Sequence, residues 1–351
     1  MARISVLIPT YKRAHLLKHV LEALRNQTYK KFEVVVILKP SGDKTEDLVE
    51  EYKNHMDLKV IPQHDGYFLG ALNLGLDNAA GDIISFLDDD AIPAPDWIQT
   101  QIETLDFPNT GGVAGNVIPV TISKGKVVLP KGETSETIPN LRARGTLAEA
   151  FGKKLWNKPL TNMEDYLVYL SKAGVVSKNR DVARSGRTRV VKSLLEMGAN
   201  MCVRSKAIQG FRFPDSCILG SGGEQLMGWH IWKQGYRLMY NPKITVFHVS
   251  HGQTLSRSIT QKRKEILRST EANLLFYRLY DKEPELSIMH RISWLTFDSV
   301  IQLKRICINR EIYRISRLIS KCYSETIGAK WILYKKMGLE YSPLAELRKL
   351  Q

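Results

Sequence analysis

Three consecutive aspartates, Asp88, Asp89 and Asp90, follow the apolar run Ile83 to Leu87 in the segment FLDDDAIPAPDW. Like charges this close repel one another, and their pKa values rise unless a cation holds them. A hard divalent ion with oxygen ligands, often shared with substrate phosphates, meets that need. Alternate side chains of an extended segment point the same way. Asp88 and Asp90 are therefore the expected working pair of a D-x-D, with Asp89 turned opposite. The competing explanation is a solvated acidic turn whose Asp caps a helix near Pro93 and Pro95.

The elements that must carry this cluster favour the first explanation. Ile4 to Ile8, Phe32 to Leu38, Leu58 to Pro62 and Ile83 to Leu87 read as buried strands. Between them, residues 14–26, 45–54 and 69–80 carry apolar residues at helical spacing. Continuous apolar strands alternating with helices imply a parallel sheet covered on both faces. Ligands of such sheets bind beyond the carboxyl ends of the strands. The polar residues after strands one, two and four are thus the first candidates. After strand one stand Pro9, Thr10, Tyr11, Lys12 and Arg13. A hydroxyl, an aromatic ring and two cations suit a base, a ribose and a diphosphate respectively. After strand two stands Lys39, able to meet base carbonyls or a phosphate.

Further along, Val113 to Val120 and Ile244 to Phe247 read as strands, and Glu224 to Gln234 as a helix. Residues 121–196 show little periodicity beyond a helix expected at Glu164 to Ala173 and a basic run from Lys178 to Arg189. A stretch of that kind suggests a recognition insert. From about residue 255 the pattern is all helical.

The chain has 351 residues, 43% of them apolar and 25% charged, which excludes wholesale disorder. Its net charge is +15. Residues 1–96 hold 11 Lys+Arg against 15 Asp+Glu, whereas residues 255–351 hold 19 against 10. The N-terminal third is acidic, so nucleic acid is not the expected partner. The opening apolar run is short for a secretory signal, and no run reaches the roughly 18 apolar residues of a spanning helix. Four cysteines without a C-x-x-C pair make no disulfide framework. These features lead us to expect a cytoplasmic protein.

The segments SVLIPTYKR, FLDDDAIPAPDW, GANMCVRSKA and GEQLMGWHIWKQGYRL, in this order, resemble the inverting family 2 glycosyltransferases. The resemblance covers roughly residues 3–115 and 197–251. It implies an α/β fold, the GT-A type Rossmann-like α/β/α sandwich, here with a helical C-terminal extension. On that reading residues 1–254 form the catalytic domain. Residues 1–112 are its nucleotide-binding half, and 113–254 its acceptor half with the insert at about 121–196. Residues 255–351 form the basic helical region.

The resemblance also assigns roles. Pro9, Thr10, Tyr11, Arg13, Lys39, Asn73, Asp88, Asp89 and Asn200 are implied to bind a nucleotide sugar, a UDP- or GDP-sugar. Asp90 and Asp88 are implied to hold Mg or Mn, with His248, at the end of Val246-Phe247-His248, as third ligand and His251 as its rival. Glu224 stands where the family has its general base, in Gly222-Gly223-Glu224. The family's second acid is missing, because Gly223 occupies that place. The loop Leu38-Lys39-Pro40-Ser41 also departs from the family's acidic base-contacting loop. Asn73 could equally serve helix packing, and Asn200 a tight turn. Trp229 and Trp232 suit core packing better than stacking on an acceptor sugar.

In the tail, Ile308, Ile312, Ile315, Ile319 and Cys322 make an apolar stripe at helical spacing, with Arg310, Arg314, Arg317 and Lys321 opposite. Two explanations fit. The tail is either a helical cover with a solvated basic face, or a peripheral attachment to an anionic membrane surface that carries a lipid-linked acceptor. The functional expectation is a metal-dependent inverting hexosyltransferase acting on a glycan or lipid-linked acceptor. A nucleotidyltransferase is the main rival, but its glycine-rich phosphate loop is lacking between Pro9 and Arg13. A dinucleotide dehydrogenase lacks its G-x-G-x-x-G.

Overall fold

The computed structural model describes residues 3–123, 126–128, 157–195, 198–250, 261–308 and 314–350. These gather into two compact units. One takes the described residues within 3–128, 180–213 and 224–250. The other takes those within 157–179, 214–223 and 261–350.

The first unit begins β1 (Ile4–Thr10), α1 (Ala14–Arg25), β2 (Phe32–Leu38), α2 (Thr45–Lys53), β3 (Leu58–Pro62), α3 (Phe68–Asn78) and β4 (Ile83–Leu87). This is the expected alternation. β1, β2 and β4 are apolar along nearly their whole length because helices cover both faces. α1 turns Leu16, Leu17, Val20, Leu21 and Leu24 inward from one face. The unit continues with β5 (Ala91–Pro93), α4 (Trp97–Leu105), β6 (Thr110–Ser123) and β7 (Lys126–Val128). Two strands of the second unit come next in the chain, β8 (Val168–Leu170) and β9 (Val176–Lys178). The first unit resumes with α5 (Arg180–Ser185), β10 (Val191–Lys192), β11 (Asn200–Arg204), α6 (Gly223–Lys233, whose first residue falls with the second unit) and β12 (Arg237–Val249).

Its sheet runs β10-β12-β6-β11-β4-β1-β2-β3, with β5 on β12 and β7 on β6. β3, β2, β1 and β4 pair in parallel, whereas β11 is antiparallel to both β4 and β6. The sheet is therefore mixed, parallel in the half that carries Asp88–Asp90 and antiparallel where β11 is inserted. Trp97, Phe86, Ile4 and Leu7 are among the largest wholly buried side chains of its core.

The second unit holds a hairpin, β8 with β9. The helix expected at Glu164 to Ala173 is absent. Val168 and Leu170 are buried and alternate with half-buried Tyr169, which is strand periodicity, and Gly174 turns the chain at φ 66°. The unit's helices are α7 (Gln261–Asn273), α8 (Leu275–Leu279), α9 (Ile288–Cys307), α10 (Ile315–Lys336) and α11 (Pro343–Arg348). The tail stripe is not realised as expected. α9 ends before Ile308 and α10 starts at Ile315, so these positions do not share one helix; Arg310 and Ile312 lie outside the described residues. α10 buries Ser316, Ser320, Ser324, Ile327 and Gly328 instead. These mostly small residues allow close approach: a Cβ on Gly328 would run into the Tyr277 ring. Arg314 is buried and donates to Gln302 Oε1 at 3.1 Å, while Ile315 is exposed. Among the described residues no helix is long and apolar enough to cross a membrane.

Candidate active site

The parallel half of the sheet delivers its strand ends to one place. β1 pairs with β2 as far as Thr10 and Leu38, and with β4 as far as Leu7 and Phe86. The loops that begin at Tyr11, Lys39 and Asp88 therefore emerge side by side. β12 supplies the next residue. It pairs antiparallel with β5, setting His248 opposite Ala91, and Val249 N–H donates to Asp90 O at 2.8 Å. That register carries His248 to the aspartates across about 160 residues of chain.

His248 Nε2 lies 3.2 Å from Asp90 Oδ1 and 3.9 Å from Asp88 Oδ2. One ligand atom from each of Asp88, Asp90 and His248 falls within 4.8 Å of the others. Two carboxylate oxygens and an imidazole nitrogen suit Mn²⁺ and are tolerable for Mg²⁺, so the residues present fit a divalent ion. The electrostatics agree. Burial, followed by the charges of Asp90, Asp89 and Glu224, pushes the Asp88 carboxyl well above the usual carboxylate range, with Arg13 pulling the other way. Burial likewise lifts Asp89 to about 6 against the pull of Arg13. Such crowding marks a site that is relieved by positive charge.

Asp89 points away from this triad. Its carboxylate accepts from Thr10 Oγ1 at 2.9 Å and from Arg13 Nη1 at 2.6 Å. The same Arg13 nitrogen donates to Asp90 Oδ2 at 2.9 Å. Thr10 and Arg13, expected at the nucleotide, are buried and turned onto the carboxylates. Tyr11 keeps a half-exposed ring, with Lys12 Nζ 5.3 Å and Lys39 Nζ 5.9 Å from its centroid. Lys39 Nζ also donates to Gly66 O at 3.4 Å, tying the loops after β2 and β3 together. Pro9 is half-buried on β1.

Glu224 opens α6, where the helix dipole favours its charge, and Asp88 feels that charge. Gly222 precedes it at φ 89°, a backbone conformation other residues adopt at a cost. A Cβ on Gly198 would stand 2.5 Å from Glu224 Oε1, so glycine is needed there for the carboxylate to occupy its position. Two asparagines do other work. Asn200 is fully buried, accepts from Trp97 Nε1 at 2.8 Å and donates to Asn116 O and Ile244 O. Its amide ties α4, β6 and β12 to β11 in the core rather than facing a sugar. Asn73 exchanges two hydrogen bonds with the Phe213 backbone, both 2.9 Å. Trp229 and Trp232 are half-buried, while Met227 and Ile231 fill the core side of α6. His251 lies outside the described residues.

Residues 5–163 match the family model described as Glycosyl transferase family 2. That match spans a little under half of the chain. The chain is 29% identical over 119 residues to glycosyltransferase AglE of Haloferax volcanii, covering 32% of this chain and 39% of that protein. It is 39% identical over 115 residues to chondroitin synthase of Escherichia coli, covering 32% and 17%. The matches thus span well under half the length of these relatives. Among solved structures, a mannosyltransferase from Pyrobaculum calidifontis in complex with GDP-Man and Mn2+ superposes with a TM-score of 0.53 at 16% identity, covering 100% of this chain and 86% of that one. GalNAc-T7 with UDP, GalNAc and Mn2+ gives 0.52 at 14% identity, covering 72% and 44%. The shared fold is the GT-A type, a mixed α/β sandwich, followed here by helices.

Proposed function

We propose that this chain is a metal-dependent inverting glycosyltransferase that moves a hexosyl group from a UDP- or GDP-sugar to a glycan or lipid-linked acceptor. The observation that carries the reading is the convergence of Asp88, Asp90 and His248 near a helix-opening carboxylate whose charge reaches Asp88. The two solved neighbours, with GDP-Man or UDP and Mn2+, support a nucleotide-sugar donor and a divalent ion.

A divalent ion held by Asp88, Asp90 and His248 would supply a Lewis acid for the charge gathering on the departing diphosphate. Arg13 holds Asp89 and Asp90 in place by ion pairs, and Thr10 adds a hydrogen bond to Asp89. Tyr11 and Lys39 offer a ring face and a cation to the base and phosphates. Glu224 takes the proton of the acceptor hydroxyl as that oxygen attacks the anomeric carbon from behind. The new C–O bond forms as the bond to the nucleoside diphosphate breaks, so configuration inverts.

A thermal-shift screen of UDP-, GDP- and CMP-sugars with Mn²⁺ or Mg²⁺ tests the donor and the metal together. A stabilisation that needs both a nucleotide sugar and the ion is expected. A shift that survives chelation would overturn the metal assignment. Glu224→Gln should keep that shift yet lower kcat by at least a hundredfold, the upper part of what a general base contributes being larger still (roughly 10²–10⁴). A Glu224→Gln variant with undiminished kcat removes Glu224 from the role of base.

A further inference from the structure

Two helices of the second unit carry their polarity inside out. On α9, Arg291, Trp294 and Gln302 are buried. On the opposite side Met289, Ile292, Thr296, Val300, Leu303 and Cys307 are exposed, at spacings of three or four residues that keep them on one stripe. Met289 is 71% exposed and Val300 58%. A helix at a water-facing surface normally shows the reverse arrangement. α10 repeats the pattern, with Ser316, Ser320 and Ser324 buried and Ile315, Tyr323 and Leu333 exposed.

The inward charges are matched. Arg291 Nη2 pairs with Glu325 at 2.5 Å, and Lys321 pairs with Asp298. Asp298 is the only carboxylate of α9, and Glu325 the only one of α10. Both face the interior of the pair. Every exposed charged side chain of these two helices is therefore a cation: Lys304, Arg317, Lys330, Lys335 and Lys336. Lys335 and Lys336 sit beside exposed Leu333, Tyr334 and Met337.

We propose that this face of α9 and α10 lies on an anionic lipid surface, in the plane of the interface. The stripe from Met289 to Cys307, about 27 Å long at the usual helical rise, would enter the boundary of the acyl chains, and the lysines would reach the headgroups. The charge selects lipid over a second copy of the chain. A copy would present the same cations and no exposed carboxylate on these helices. Of the exposed carboxylates just outside them, Asp281 and Glu340, Asp281 already pairs with Lys335, which leaves Lys304, Arg317, Lys330 and Lys336 to meet like charges. Neither helix is apolar enough to cross the bilayer, which leaves the in-plane arrangement. The proposal does not depend on the glycosyl-transfer reading.

Flotation of the full chain with vesicles tests it. Phosphatidylcholine vesicles containing phosphatidylglycerol should carry the protein, phosphatidylcholine alone should not, and added salt should release it. Ile292→Asp together with Leu303→Asp should weaken binding by at least roughly tenfold, because two apolar side chains no longer bury. Both positions are exposed, so the circular dichroism and urea midpoint of that variant should match the parent. Equal binding to neutral vesicles overturns the proposal, as does undiminished binding of the double variant. So does a dimer in sedimentation velocity that the double variant abolishes, since a second copy would then cover the face.

Discussion

At the scale of single residues, position matters more than identity in this site. Gly198 is a case in point. A methyl group there would meet Glu224 Oε1 at 2.5 Å, and the carboxylate would have to swing away. Gly198→Ala should therefore lower kcat by roughly tenfold or more while donor binding and the thermal midpoint change little. An unchanged kcat would show that Glu224 can act from another place. The sequence disclosed the glycine and the glutamate, but not that they meet, because they are brought together only by the fold. The same holds for Arg13. Its charge suggested a phosphate contact, whereas its partners are Asp89 and Asp90, more than 70 positions away. Asp88 and Asp90 do group apart from Asp89, as alternation suggested, but the cause differs: β4 ends at Leu87, and Asp89 and Asp90 lie in a turn closed by Ala91 N–H on Asp88 O at 3.1 Å.

Glu285 gives a residue-scale test of pH dependence. Burial alone would raise its pKa, but the Thr161 hydroxyl and N–H and the Lys172 ammonium together hold it below the ordinary value of 4.5. A depressed carboxylate stabilises the fold above its unfolded pKa and loses that contribution as pH falls through the folded one. Glu285→Gln should thus cost about 1 kcal/mol at pH 7, and the two proteins should converge once the pH has fallen through the folded-state pKa. Urea midpoints measured across that range check it; a constant difference at all pH values would contradict the pairing.

At the scale of elements, the strands and helices from β1 to β4 were legible because continuous apolar runs alternate with segments of helical spacing, whereas β5 and α4 were not read from the sequence. The hairpin of β8 and β9 was misread because strands of three residues offer too few positions to separate a period of two from 3.6. The tail was rightly read as helical, but which side of its helices is buried was not legible, for another reason. Their buried side is made of serines, a glycine and paired charges, so an apolar stripe pointed outward instead of inward. A less visible feature is the loop before α6. Ile218, Leu219 and Ser221 N–H all donate to Glu271 of α7, at 2.5 to 3.0 Å, and Arg278 donates to Ser216 O. Glu271 is fully buried. This loop runs directly into Gly222 and Glu224. Glu271→Ala should leave several buried N–H groups without acceptors and cost about 3 kcal/mol or more, whereas Glu271→Gln should recover part of that by retaining a carbonyl oxygen. Equal midpoints for the two variants would mean the loop is held by something else.

At the scale of the whole chain, the expectation of a catalytic domain ending at 254 came from the extent of the family resemblance, and that of a helical region after it from the residue pattern. Contacts divide the molecule differently. Segments 157–179 and 214–223 group with the helices that follow residue 260. Arg291 donates to Ala173 O, Thr161 N–H and hydroxyl donate to Glu285, and Glu271 holds the 214–223 loop. None of these long-range partners carries a local signature, which is why a linear reading puts the boundary in one place. A chain cut after residue 254 should accordingly lose cooperative unfolding and aggregate, rather than yield an intact catalytic domain. A soluble fragment with a sharp urea transition would restore the linear boundary.

On the proposed reading the ion pairs of Arg13 have one more consequence. Three carboxylates share one guanidinium at the ends of β1 and β4. A donor diphosphate would bring further negative charge to this crowded place, and an ion that relieves the aspartates would ease its entry. Encounter would then be ordered: ion first, or ion and nucleotide together, rather than the bare nucleotide. The carboxylates would act as a filter on the order of events as well as a grip.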